Sequence, residues 1–426
     1  MTTREPHAAV PAGRINPLNK GIGFLEQPIA HEEIAQRGWN LLREDLTLPA
    51  AVLCEEKLRH NLDWMRQFVV AYGVNLAPHG KTTMAPRLFA MQLEAGAWGI
   101  TLATAHQTEV AYAYDVRRVL MANQLIGLQN MATISHLLRD PTFEFYCLVD
   151  SVDQINQLGS YYSRFGQRLN VLIELGVDGG RAGVRNGSQL LAALNALGDW
   201  SESLVLCGVE IYEGVLDNEA SIRAFLHRAV GVTNEIAAKG LFQRKPILLS
   251  GAGSAWYDVV AEVFSEAGIQ HPVEIVLRPG CYLTHDIGAY RVAQTRIQRS
   301  NAVARKMSEG LKPALQIWAY VQSVPEAERA IVAMGKRDAA FDSGLPVPAL
   351  HFRPGDAETK AAPAHWTVTR MMDQHTYLQI AAQDDLRVGD MISFDIAHPC
   401  LTFDKWRVLA LVNARYDVVD LIETFF

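Results

Sequence analysis

Between Val74 and Leu277 eight short runs of β-branched and aliphatic residues recur: VNLAP, WGITLA, RVLMA, FEFYCLV, LNVLIEL, LVLCGVEIY, PILLS and VEIVL. The stretches between them carry helical patterning, as in Pro86–Ala95, Gln107–Tyr114, Asp153–Ser163, Ser188–Leu197, Ala220–Lys239 and Trp256–Ala267. Strand–helix alternation builds a parallel sheet, because each helix returns the chain to the same end of the sheet. Eight such units suit a closed barrel. An open doubly wound sheet shares the local signature, although no G-x-G-x-x-G follows the first run as a dinucleotide-binding fold would require. The expectation is an α/β protein built on a (β/α)8 TIM-like barrel.

Beyond Tyr290 the texture changes to alternating runs without long helices between them: LQIWAYVQSV, RAIVAM, HWTVTRM, MISFDI, WRVLALV and DVVDLI. These predict a separate C-terminal β domain. A chain of 426 residues has room for a barrel and a smaller domain. The expected division is an N-terminal extension over 1–55, a barrel over 56–290 and a β domain over 291–426. The Pro- and Gly-rich stretch Asp342–Pro363 predicts a long surface loop, and Met1–Asn19 a mobile end.

A net charge of -7 without a basic run argues against nucleic acid and anionic membranes, leaving a small molecule as the expected ligand. The five cysteines, Cys54, Cys147, Cys207, Cys281 and Cys400, are odd in number and never form a C-x-x-C pair. That usage suits a reducing cytoplasm. The N-terminus lacks the apolar core of a signal peptide, and no run approaches the ~18 apolar residues of a membrane span.

Chemistry-bearing residues cluster at the expected strand ends. The first strand runs into NLAPHGKTTMAP. Lys81 there is an amine at a partly desolvated barrel mouth, where a lowered pKa would let it form a Schiff base and carry a pyridoxal cofactor; the bland alternative is a solvated loop lysine. SGAGSAWYD (Ser250–Asp258) and RPGCYLTHD (Arg278–Asp286) follow the last two strands. Their glycines and helix-opening N–H groups would hold a cofactor phosphate, although either loop alone is an ordinary tight turn. Arg181, among the glycines of ELGVDGGRAGV, would face a cofactor oxygen or ring nitrogen. Tyr212 would pack on an aromatic ring or serve as a rim residue of the core. His398 and Cys400 flank a proline in AHPCLTFDKW. In an extended segment both side chains would share a face and converge on one ion, with His375 of MMDQHTY a nearby polar partner.

These motifs resemble the D-threonine aldolase and eukaryotic-type D-serine dehydratase family, fold-type III pyridoxal enzymes with an alanine racemase-like barrel. Against the family's R-P-H-x-K-T-H-K motif, Pro78, His79, Lys81 and Thr82 match, while Ala77 and Thr83 depart. The G-x-x-R-x-G loop matches around Arg181, Y-x-G at Tyr212 and Gly214, and R-P-G-x-Y at Arg278–Tyr282, with Cys281 in place of the usual Thr or Asn. The H-x-C that holds zinc in the D-serine dehydratases is intact as His398 and Cys400, where the aldolases place a carboxylate second. Asp373-Gln374-His375-Thr376 stands for the relatives' E-E-H-G, and Val215 for a frequent His, which points to a substrate other than D-serine itself.

The resemblance implies pyridoxal 5'-phosphate held by His79, Lys81, Arg181, Tyr212, Ser250, Gly251, Gly253, Ser254, Gly280, Cys281 and Tyr282. It implies a divalent metal, zinc, on His398 and Cys400; a strand near Ala51–Cys54 that joins the β domain; and a homodimer. The implied reaction is dehydration of a D-3-hydroxy amino acid to a 2-oxo acid and ammonia, with Lys81 as base. Retro-aldol cleavage to glycine and an aldehyde is the nearest rival, separated only by Cys400, since thiolate favours zinc and carboxylate a harder ion. Racemisation would need a second base facing Lys81. A non-catalytic pyridoxal carrier would need neither the β domain nor the H-x-C.

Overall fold

The computed structural model of the chain describes residues 13–307 and 309–426. All eight expected runs are strands: β2 (Asn75–Leu76), β3 (Ile100–Leu102), β4 (Arg118–Gln124), β5 (Glu144–Val149), β6 (Leu169–Leu175), β7 (Leu204–Ile211), β8 (Ile247–Gly251) and β9 (Val273–Leu277), preceded by β1 (Ala50–Cys54). They pair in parallel in the order β2-β9-β8-β7-β6-β5-β4-β3. Backbone bonds from Trp98 N to Leu76 O (2.7 Å) and from Thr101 N to Pro78 O (2.9 Å) join the two ends and close the barrel.

Strand periodicity divides the apolar residues between two layers. Leu120, Ala122, Tyr146, Leu148, Leu172, Val205, Cys207, Leu248 and Val276 form the barrel's interior cluster. Their neighbours Val119, Met121, Phe145, Cys147, Val171, Ile173, Leu206 and Leu249 pack in the larger core with the helices. One residue of slip would exchange these sets, so the register is strongly specified. The helices are α1 (Glu55–Tyr72), α2 (Pro86–Glu94), α3 (Ala105–Ala113), α4 (Leu128–Leu137), α5 (Val152–Ser163), α6 (Gly187–Asp199), α7 (Glu219–Ala238), α8 (Tyr257–Ser265), α9 (Ala289–Ser300) and the single turn α10 (Cys400–Phe403). Asn186 caps α6 and Asn218 caps α7, each side chain accepting a backbone N–H. In α7 the buried Ile222, Phe225, Leu226, Ala229, Val230, Thr233, Ile236 and Ala237 make one stripe at helical spacing.

The second sheet has ten strands. Besides β1 these are β10 (Leu315–Glu326), β11 (Arg329–Val332), β12 (Val347–Phe352), β13 (Lys360–Ala361), β14 (Thr367–Met371), β15 (Thr376–Gln379), β16 (Met391–Asp395), β17 (Val408–Val412) and β18 (Val418–Glu423). β1 pairs antiparallel with β10 and parallel with β17, so the N-terminal strand joins this sheet as expected. Two expectations need correction. Asp342–Pro363 is not one loop: β12 and β13 lie within it, and β12 pairs with β16. Of Met1–Asn19, residues 1–12 lie outside the described residues, but Ile15 is fully buried and pairs with Ile29 through bonds of 2.8 and 3.3 Å. Ile15, Ile22, Leu25, Ile29 and Ile34 cover one face of the second sheet in a core with Val52, Trp318, Met391 and Ala410.

Candidate active site

Lys81 lies in the tight turn Gly80–Thr82 beyond β2. A Cβ on Gly80 would sit 2.7 Å from the Phe89 ring and 3.0 Å from Ile100, so glycine lets this turn press against α2 and β3. The turn sets Lys81 on the wall of a cavity of about 330 Å³. Around that wall come His79, Lys81 and Thr82 after β2, Ala103 after β3, Ala122 and Asn123 from β4, Arg181 after β6 and Tyr212 after β7. Ala252, Gly253 and Ser254 follow β8, Arg278, Gly280 and Cys281 follow β9, Tyr290 comes from α9, and His398 and Cys400 lie after β16. The cavity therefore occupies the C-terminal end of the barrel, where such folds place their chemistry, roofed by the β domain.

Four expected residues do not reach the wall. Ser250 and Gly251 belong to β8, with Ser250 Oγ donating to Val276 O at 3.0 Å. Tyr282 is buried, its hydroxyl accepting from Gln92 Nε2 at 3.2 Å. His375 is exposed in the turn between β14 and β15. The H-x-C segment also differs from expectation: Pro399 is helical and Cys400 opens α10, so a turn rather than an extended strand turns both side chains toward the cavity.

Lys81, Arg181 and Arg278 bring basic side chains to the cavity, and no Asp or Glu among the described residues lines it. Arg278 is already engaged: Nε donates to Ser250 Oγ and Nη2 to Ile211 O, each at 3.0 Å, and Nη2 also pairs with buried Glu210. Arg181 has no carboxylate partner among the described residues, and its guanidinium lies 4.8 Å from the centre of the Tyr212 ring. Desolvation lowers the Lys81 pKa, Arg181 and Arg278 push the same way, and the nearby Cys400 opposes them. Burial, then Lys81, drives the His79 pKa well below its usual value, and the buried His79 Nδ1 lacks a hydrogen-bond partner among the described residues.

The donor set fits a phosphorylated, anionic cofactor. Ser254 Oγ accepts from the N–H groups of Gly280 (3.2 Å) and Cys281 (3.1 Å), leaving its own proton to donate. Glu213 fixes the neighbouring loop, accepting from Ala252 N (3.1 Å) and Gly253 N (2.7 Å) while Ala252 holds a left-handed φ of 81°. Glu213 is fully buried; it sits inside the Y-x-G match, at the position that motif leaves unspecified. Asn123 and Tyr290 were likewise unmarked.

A metal finds a softer, partial set. Cys400 Sγ lies 3.6 Å from Cys281 Sγ and 3.5 Å from Thr82 Oγ1. The neighbouring Cys281 and His398 hold the Cys400 pKa down at about 4, and Cys400 and Asp342 raise that of His398 to about 9. Asp342 Oδ2 lies 2.7 Å from His398 Nδ1. Thiolate and imidazole are zinc-type ligands. No three His, Cys, Asp or Glu side chains converge as a metal site among the described residues. A larger cavity of about 480 Å³, between the N-terminal segment and β18, has Arg87 against Asp420 and lacks this convergence of amine, sulfur and amide donors.

Comparison with known proteins adds two family matches, two relatives and a solved structure. Residues 53–283 match the family described as alanine racemase, N-terminal domain, and residues 314–412 match a putative serine dehydratase domain. D-threonine aldolase of Arthrobacter sp. is 24% identical over 78% of this chain and 82% of its own length. D-threo-3-hydroxyaspartate dehydratase of Delftia sp. (strain HT23) is 32% identical over 33% of this chain and 36% of its own. A solved D-threo-3-hydroxyaspartate dehydratase, a cysteine-to-alanine mutant in its metal-free form, superimposes with a TM-score of 0.70 at 23% identity, covering 91% of this chain and 99% of that one. No helix among the described residues is long and apolar enough to cross a membrane.

Proposed function

The chain belongs to the alanine racemase N-terminal domain family of fold-type III pyridoxal enzymes, and from that membership we propose that it dehydrates a D-configured 3-hydroxy amino acid to a 2-oxo acid and ammonia. One observation carries this reading: the Lys81 amine and the Cys400 sulfur line the same cation-rich cavity. When bound, the pyridoxal ring supplies an electron sink for the charge that develops at Cα. Lys81 holds the cofactor and then acts as a free amine to take the Cα proton, a task its lowered pKa suits. Ser254 Oγ, which accepts from the Gly280 and Cys281 N–H groups, would donate to the phosphate, Tyr212 would pack beside the ring, and Arg181, without a carboxylate partner among the described residues, would offer its charge to an oxygen of cofactor or substrate. His398 and Cys400 would hold zinc, whose Lewis acidity supports loss of the β-hydroxyl, otherwise a poor leaving group.

Substrates in reach are D-serine, D-threonine and bulkier or acidic β-hydroxy analogues such as D-threo-3-hydroxyaspartate. We place the enzyme in the cytoplasm as a homodimer. The aldolase reading has its own support, because the D-threonine aldolase match spans 78% of the chain. The products separate the two, ammonia and a 2-oxo acid against glycine and an aldehyde, and Cys400→Ala tests the metal: elimination should be abolished while the absorbance of bound cofactor persists. Ammonia release at the wild-type rate from this variant would remove the metal from the mechanism.

A further inference from the structure

The loop after β9 presents Cys281 from the barrel, and α10 presents Cys400 from the second sheet's side, so that two sulfurs from distant parts of the chain stand 3.6 Å apart. Neither is in a disulfide. Thr82 Oγ1 completes a close triangle, 3.8 Å from the first sulfur and 3.5 Å from the second. Two thiolates bound at about 2.3 Å to a tetrahedral zinc stand about 3.8 Å from each other. The pair therefore already has the spacing that a shared ion imposes, with both side chains on the wall that also carries His398.

We propose that Cys281 is a third protein ligand of the active-site metal, forming with His398 and Cys400 a two-cysteine, one-histidine set whose fourth position is open to the substrate's β-oxygen. The proposal rests on the reading of His398 and Cys400 as metal ligands. Three protein ligands with one open position is the pattern of catalytic zinc sites. A second sulfur also shifts preference further from manganese and magnesium, which suit carboxylates. Asp342 engages His398 Nδ1 at 2.7 Å, leaving Nε2 for the ion and fixing the ring as a carboxylate behind a metal-binding histidine does. Closing the set then requires movement of these side chains, since no three such groups converge among the described residues. Coordination expels any proton remaining on either thiol to solvent, so bonds to the ion replace S–H bonds without any change of oxidation state.

The test is zinc-edge X-ray absorption on the zinc- and pyridoxal-loaded full chain, beside Cys281→Thr, Cys281→Ser and Cys400→Ala, with zinc affinity measured by competition against a chromophoric chelator. Wild type should show two sulfur scatterers per zinc and the Cys281 variants one. Loss of a group that merely hydrogen-bonds to a metal ligand weakens metal binding about 10- to 100-fold, so loss of Cys281 should weaken it by at least about 100-fold. One sulfur in the wild type, lost only in Cys400→Ala, would overturn the role of Cys281 while keeping the site. Absence of stoichiometric zinc from the wild type would overturn the site reading and this proposal with it. The wild-type sulfur count decides the question even if a variant fails to fold.

Discussion

Lys81 carries the account at the level of single residues. A desolvated amine near two guanidinium groups remains neutral to a lower pH than free lysine, whose pKa is near 10.5. Capture of pyridoxal phosphate by the apoprotein should therefore quicken about tenfold per pH unit and level off before that value. Stopped-flow absorbance would show it, and Lys81→Arg should lower turnover by about 10²- to 10⁴-fold, the usual contribution of a positioned base. Glu213 makes a structural counterpart: it is fully buried and satisfies two N–H groups of a strained loop. Glu213→Ala leaves those donors unpaired, so urea denaturation should register a loss of about 1–3 kcal/mol, with weaker cofactor retention.

At the level of elements, the turn after β9 tolerates no side chain at Gly280. A Cβ on Gly280 would lie 2.5 Å from His79 O and 2.8 Å from Thr82 Oγ1, so Gly280→Ala must push the phosphate loop away from the Lys81 turn. The expected cost is about 1–3 kcal/mol, visible as a lowered Tm together with lost cofactor. The N-terminal segment is tied to β18 by His31, whose pKa Asp420 and Glu423 raise to about 9. Because the folded value exceeds the unfolded one, this contribution is full below pH 6.5 and lost as pH rises through 9. Denaturation midpoints should fall across that window, and His31→Gln should flatten the fall.

Elements also show what the sequence could disclose. The barrel strands were legible because alternate residues such as Leu120 and Ala122 serve one layer while Val119 and Met121 serve the other. β12 was hidden because Pro346 and Pro348 bracket an exposed Val347 and most of the residues that follow are only partly buried, so the run lacks a clean alternation. At the site, Lys81, Arg181, Tyr212 and Cys400 stood in motifs or at strand ends. Glu213 and Asp342 act through contacts whose partners lie 39 and 56 residues away, and no local pattern announces such contacts.

The molecule as a whole brings a barrel end and a β sheet together so that amine and sulfur share one small cavity. That juxtaposition, rather than the barrel itself, distinguishes a lyase of β-hydroxy amino acids from a pyridoxal carrier. On the proposed reading the reaction depends on the second sheet as well, since His398 and Cys400 follow β16. Product analysis of the pyridoxal-loaded protein with D-serine, D-threonine, D-phenylserine and D-threo-3-hydroxyaspartate, each with and without a metal chelator, tests the central claim most directly. The account predicts ammonia and a 2-oxo acid from at least one of them, lost on chelation and restored by zinc; glycine and an aldehyde instead would contradict it and establish the aldolase.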